Sequence, residues 1–67
     1  MAERLANLLK DMRAERNLTQ AQLAELVGVT RKTINTVENG VFIPSTVLAL
    51  KLALALERRV EEIFWLA

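Results

Sequence analysis

The chain has 67 residues, 52% of them hydrophobic and 25% charged, with nine basic and eight acidic side chains and a formal net charge of +1. It is too short for two domains, too apolar for a disordered chain, and not basic enough overall to bind nucleic acid except through a local surface. With no Cys and no His, disulfides, the usual zinc sites, thiol nucleophiles and the commonest general base are excluded, so an enzyme is the weakest class and no metal or cofactor is expected.

Leu5, Leu8, Leu9 and Met12 follow the i, i+3, i+4, i+7 spacing, which predicts a first helix from Glu3 to Arg16, ended by Asn17. Glu3, Arg4 and Asn7 interrupt this region where a secretory signal needs a continuous apolar stretch, so a cytoplasmic protein is expected. Thr19 and Gln22 match a capping box, with Leu18 and Leu23 at the two positions of a hydrophobic staple, and a second helix begins at Gln20. Gly28 stands where a left-handed residue closes that helix. Thr30 is the expected N-cap of a third helix, Val29 and Ile34 repeat the staple spacing, and Gly40 ends it. Two short helices joined by a three-residue turn containing glycine form the arrangement of a helix-turn-helix.

Pro44 and Ser45 mark the start of a fourth helix, with Ser45 as its N-cap. Its leucines at 48, 50, 52, 54 and 56 alternate as in a half-buried strand, but Leu and Ala are strong helix formers and no β-branched residue follows Val47 in the segment. On a helix, Leu48, Leu52 and Leu56 share one face with Ala49 and Ala53, while Val47, Leu50 and Leu54 gather on another. Val60, Ile63 and Phe64 predict a short fifth helix. The neighbouring Glu61 and Glu62 point about 100° apart on it, as a solvated face and not as an acid/base pair. The longest apolar runs, Leu52 to Leu56 and Ile63 to Ala67, fall far below the roughly 20 residues of a membrane-spanning helix.

On the third helix Arg31, Lys32, Asn35, Thr36 and Asn39 fall within an arc of about 140°, opposite Thr33, Ile34 and Val37. The arc contains no carboxylate. Arg and Lys donate to guanine in the major groove, Asn makes a two-point contact with adenine, and a Thr methyl touches thymine.

The stretch TQAQLAELVGVTRKTINTVENG, Thr19 to Gly40, resembles the helix-turn-helix of the phage repressor and Cro family, including Xre-type bacterial regulators. The similarity extends back to Met12 and Arg13 and forward through Pro44, Ser45 and the EEIF stretch from Glu61. It implies an all-α, compact five-helix, lambda-repressor-like DNA-binding domain over residues 1–67. It implies further that Arg31, Lys32, Asn35 and Thr36 read base edges, and that Gln20, Thr30 and Asn39 hold phosphates. Arg13 and Glu38 match a pair that in the family forms an internal salt bridge. Three features depart from the pattern. Position 41, often basic or polar in the family, begins the run Val41, Phe42, Ile43, in which Phe42 is expected to pack into the core. Glu57 and Arg59 replace a glycine and a small capping residue, which predicts a shortened turn or nearly continuous last helices. Val47 and Leu54 stand where relatives usually carry charge.

A core this small calls for oligomerisation or very good packing, and Val47, Leu50, Leu54 and Trp65 are the candidate dimer interface. The expected function is sequence-specific transcriptional regulation, as a homodimeric repressor on a palindromic operator in double-stranded DNA. Nothing in 67 residues is left for a ligand-sensing module, so control is expected from concentration, autoregulation or a protein partner. The alternative is an antitoxin-like or bridging module on the same fold, whose apolar face holds a different protein and whose DNA binding is secondary.

Overall fold

A computed structural model describes residues 3–67. Hydroxyl caps set the starts of the three central helices. Thr19 Oγ1 accepts from Gln22 N at 3.0 Å while Gln22 Oε1 accepts from Thr19 N at 2.8 Å, closing the capping box that opens one helix, Gln20–Val27. Thr30 Oγ1 accepts from Thr33 N at 3.3 Å before Arg31–Glu38, and Ser45 Oγ from Leu48 N at 3.1 Å before Thr46–Leu56. Together with Leu9–Glu15 and Val60–Ile63 these make five helices among the described residues, α1 (Leu9–Glu15), α2 (Gln20–Val27), α3 (Arg31–Glu38), α4 (Thr46–Leu56) and α5 (Val60–Ile63). Between α2 and α3, Gly28 takes φ +73°, the left-handed conformation that turns the chain sharply. Ser45→Ala is expected to lower stability by about 1 kcal/mol, by removing the acceptor for Leu48 N. Chemical denaturation of both proteins reads this as a shifted midpoint with an unchanged slope.

The five expected helices are accompanied by a two-stranded antiparallel sheet that the periodicity did not reveal, β1 (Leu5–Asn7) and β2 (Phe64–Leu66). Leu5 pairs with Leu66, Ala6 with Trp65 and Asn7 with Phe64, and Ala67 N extends the ladder to Arg4 O at 2.8 Å. The first helix therefore starts at Leu9 and not at Glu3. Asn7 makes the junction, since its Oδ1 accepts from Leu9 N at 3.0 Å and its Nδ2 donates to Val37 O at the end of α3 at 3.1 Å. Phe64, expected on the fifth helix, is a strand residue. Successive strand side chains point to opposite faces, so Phe64 enters the core while Trp65 stays 42% exposed.

One apolar cluster joins the helices, with Leu9, Leu23, Ile34, Leu52, Leu56 and Ile63 fully buried. Leu48, Leu52, Ala53 and Leu56 turn one face of α4 into it. The other face, Val47, Leu50 and Leu54, lies at the surface. Phe42 does not pack into the core. It is 48% exposed, because Val41 N and Phe42 N both donate to Thr36 O, wrapping residues 41–42 over the end of α3 and outside the cluster. The last two helices are not continuous either. Glu57 adopts φ +54°, and Arg58 N donates back to Ala53 O at 3.1 Å, so α4 ends as it would at a glycine. Glu57 Oε2 meets Arg16 Nη1 at 2.6 Å, and Arg58 pairs with Glu15 at 2.7 Å, tying this turn to the end of α1. Among the described residues no helix is long and apolar enough to cross a membrane.

Candidate nucleic-acid interface

The α3 sequence, RKTINTVE, is held by its apolar side, with Ile34 and Val37 buried. That leaves Arg31, Lys32, Asn35 and Asn39 exposed and Thr36 half-buried on one outer face. The single carboxylate of the helix, Glu38, is turned inward with its side chain only 3% exposed. There it meets Arg13 of α1, Nε to Oε2 at 2.6 Å and Nη2 to Oε1 at 3.3 Å, in a two-point pair, while Arg13 Nη1 donates to Leu18 O at 2.8 Å. Burial of Glu38 against Arg13 thus removes the one negative group that would oppose an anionic ligand on this face. Among the described residues neither Arg31 nor Lys32 is in an ion pair.

These two cations occupy the first two positions of α3. Positive charge there opposes the helix dipole and costs a few tenths of a kcal/mol per residue, up to about 1. A local rule broken against stability is explained when an external partner supplies negative charge. The side chains on the rest of the face are prearranged. Gln20, the first residue of α2, donates from Nε2 to Glu38 Oε1 at 3.0 Å and to Asn35 Oδ1 at 3.1 Å. Asn39 Nδ2 donates to the same Asn35 oxygen at 3.3 Å, and Thr36 Oγ1 donates to Thr33 O at 2.9 Å. Thr30 Oγ1 lies 3.1 Å from Thr33 Oγ1 at the exposed start of α3. Of the three residues read as phosphate ligands, Gln20 has both side-chain amide hydrogens directed at protein acceptors. A phosphate at the start of α2 would therefore meet its backbone N–H, one of the first-turn amides that no helix carbonyl satisfies.

The candidate apolar interface is placed less compactly. Val47 is 64%, Leu50 51% and Leu54 80% exposed on the outer face of α4. A shallow groove beside Leu50 is lined by Leu5, Pro44, Ala49, Val60 and Phe64, whereas Trp65 stands on the opposite side of β2 from Phe64. Leu66, 69% exposed, belongs to the apolar surface and is missed by helical periodicity because it lies in a strand. Also missed is Asn7, whose tie to Val37 O no local pattern encodes.

A family model described as Helix-turn-helix matches residues 9–63. The chain is 42% identical over 62 residues to "Uncharacterized HTH-type transcriptional regulator YgzD" of Bacillus subtilis, covering 92% of this chain and 94% of that one. It is 48% identical over 61 residues to an HTH-type transcriptional regulator of Methanothermobacter thermautotrophicus, covering 90% and 88% of the two chains. Among solved structures, the restriction-modification controller protein C.AhdI from Aeromonas hydrophila is similar with a TM-score of 0.76 and 39% identity, over 81% of this chain and 82% of that chain.

Proposed function

The chain belongs to the helix-turn-helix family of DNA-binding transcriptional regulators, which are not enzymes, and from that premise we propose that it acts as a homodimeric repressor in the cytoplasm. In this reading the chain acts as one DNA-binding unit. Its α3 enters the major groove, Arg31, Lys32, Asn35 and Thr36 meet base edges, and Gln20, Thr30 and Asn39 set the register on phosphates. The observation that carries it is the outer face of α3, cationic at its N-terminal end and free of carboxylate because Arg13 holds Glu38 inside. Two copies joined through the outer face of α4 would present two such helices to successive major grooves, about 34 Å apart. Occupation of the operator then blocks transcription by exclusion.

Selection of bound duplexes from a random DNA pool tests the reading. Enrichment of an inverted repeat with half-sites one helical turn apart is the expected result, and weak, salt-sensitive binding with no enriched sequence would overturn it. Arg31→Ala should separate affinity from stability. Loss of a two-point guanine contact lowers operator affinity by about 1–3 kcal/mol and relaxes one base position. Removal of a cation from the helix start raises folding stability by a few tenths of a kcal/mol. Titration of the selected operator and thermal denaturation of the free protein should therefore move in opposite directions.

A further inference from the structure

Resting on the major-groove reading above, we propose that the buried Glu38 carboxylate, acting through Gln20, makes Asn35 a donor-only reader that selects a G·C over an A·T base pair. A carboxylate bound two-point to an arginine accepts hydrogen bonds and cannot donate them. The Gln20 atom 3.0 Å from Glu38 Oε1 must therefore be its nitrogen. That same nitrogen lies 3.1 Å from Asn35, so the Asn35 atom facing it must be the oxygen. Asn39 then approaches this oxygen with its own nitrogen, at 3.3 Å. One buried charge fixes the direction of three side-chain amides that a helical wheel treats as free to turn.

The consequence lies in what remains on the outside. An amide oxygen has two acceptor sites, and those of Asn35 Oδ1 are taken by Gln20 and Asn39. The two-point contact of an Asn with adenine needs that oxygen to accept from N6 while the nitrogen donates to N7. Here only the nitrogen half is available. Opposite adenine, the N6–H that is not used in base pairing would be desolvated without an acceptor. Opposite guanine, N7 and O6 both accept. Arg31 and Lys32 are donors as well, so the reading face is donor-rich along its length and fits acceptor-rich base edges. Gln20 and Glu38 are positioning residues in this arrangement.

Duplex selection with the wild type and with Asn35→Ala identifies the base pair whose preference Asn35 sets. A G·C pair is expected there, favoured over A·T by about tenfold or more, and an A·T pair at that position overturns the proposal. Gln20→Met leaves the Arg13–Glu38 pair and the backbone N–H in place but frees Asn35 Oδ1. The preference for guanine over adenine should then fall about tenfold at that base pair alone, with the Arg31-dependent positions unchanged. A uniform loss of affinity with unaltered preference would show that Gln20 only braces the helices or the backbone contact, and would also overturn it. Side-chain amide hydrogen exchange in the free protein tests the relay without DNA. The Gln20 side-chain amide protons should exchange more slowly than those of Asn35, and the reverse order refutes the orientation. If the wild type enriches no sequence, the regulator reading itself fails, and the exchange rates still decide whether the relay exists.

Discussion

Replacing Glu38 with Ala is expected to destabilise the protein by about 3–5 kcal/mol, the cost of leaving one partner of a buried ion pair unmatched. The Arg13 side chain is only 14% exposed, and its charge would face an empty space where two carboxylate oxygens had been. Gln20 loses an acceptor in the same step. A domain of this size has few kcal/mol to lose, so the variant should melt more than about 10 °C below the wild type. Circular dichroism at one fixed protein concentration reads this, the concentration being held because self-association would add to apparent stability. Arg13→Met combined with Glu38→Leu removes both charges together and should recover most of the loss, since apolar pairs of similar volume replace buried ion pairs at little cost. Equal destabilisation in the single and double variants would mean that shape at this site, and not charge, sets its contribution.

Leu54→Lys should leave the monomer folded and cost operator affinity about 100-fold or more. Leu54 is 80% exposed, and surface substitutions of this kind usually change stability by less than about 0.5 kcal/mol. In the proposed dimer the same position is buried against its copy, where an unpaired charge is strongly unfavourable. Two half-sites held by one dimer gain about 10²–10⁴ over a single half-site through effective concentration alone. Sedimentation should show the wild type as a dimer and the variant as a monomer. Binding to an isolated half-site should hardly differ between them. A wild type that sediments as a monomer, or a monomeric variant with undiminished operator affinity, would remove the α4 face from the mechanism.

The parts of this structure that were legible in the sequence are those fixed by neighbours along the chain. Thr19 with Gln22, Thr30 and Ser45 cap the helices they precede, because a hydroxyl reaches the amide two or three residues on whatever the rest of the fold does. The buried and outer faces of α4 follow from 3.6-residue geometry once it is a helix. What was not legible depends on distant partners. Leu5 continues the helical spacing of Leu8, Leu9 and Met12, yet it is drawn into β1 because its partner, Leu66, comes from the other end of the chain. Phe42 has the composition of a core residue but sits on a loop that two bonds to Thr36 O carry over the surface. Glu57 closes α4 in a conformation that favours glycine, with its carboxylate on Arg16 of α1. On the candidate site the residue types were visible and their orientation was not. The direction of Asn35 depends on how α2 and α3 cross, which brings Gln20 to it.

The pairing of Leu5 with Leu66 also sets an order in time. It closes a loop that contains all five helices, and its strands of three residues are too short to persist without a surface to lie on. Contacts between distant parts of a chain form slowly because the intervening loop must first be ordered. The helices are therefore expected to assemble before the sheet, and the sheet to be the first element to open in the native protein. Asn7 connects that opening to α3 through Val37 O, so an excursion of the strands is expected to loosen the C-terminal end of α3 while its N-terminal cations stay in place. Backbone amide exchange should follow this sequence, fastest at Leu5–Asn7 and Phe64–Leu66 and slowest in α2 and α4.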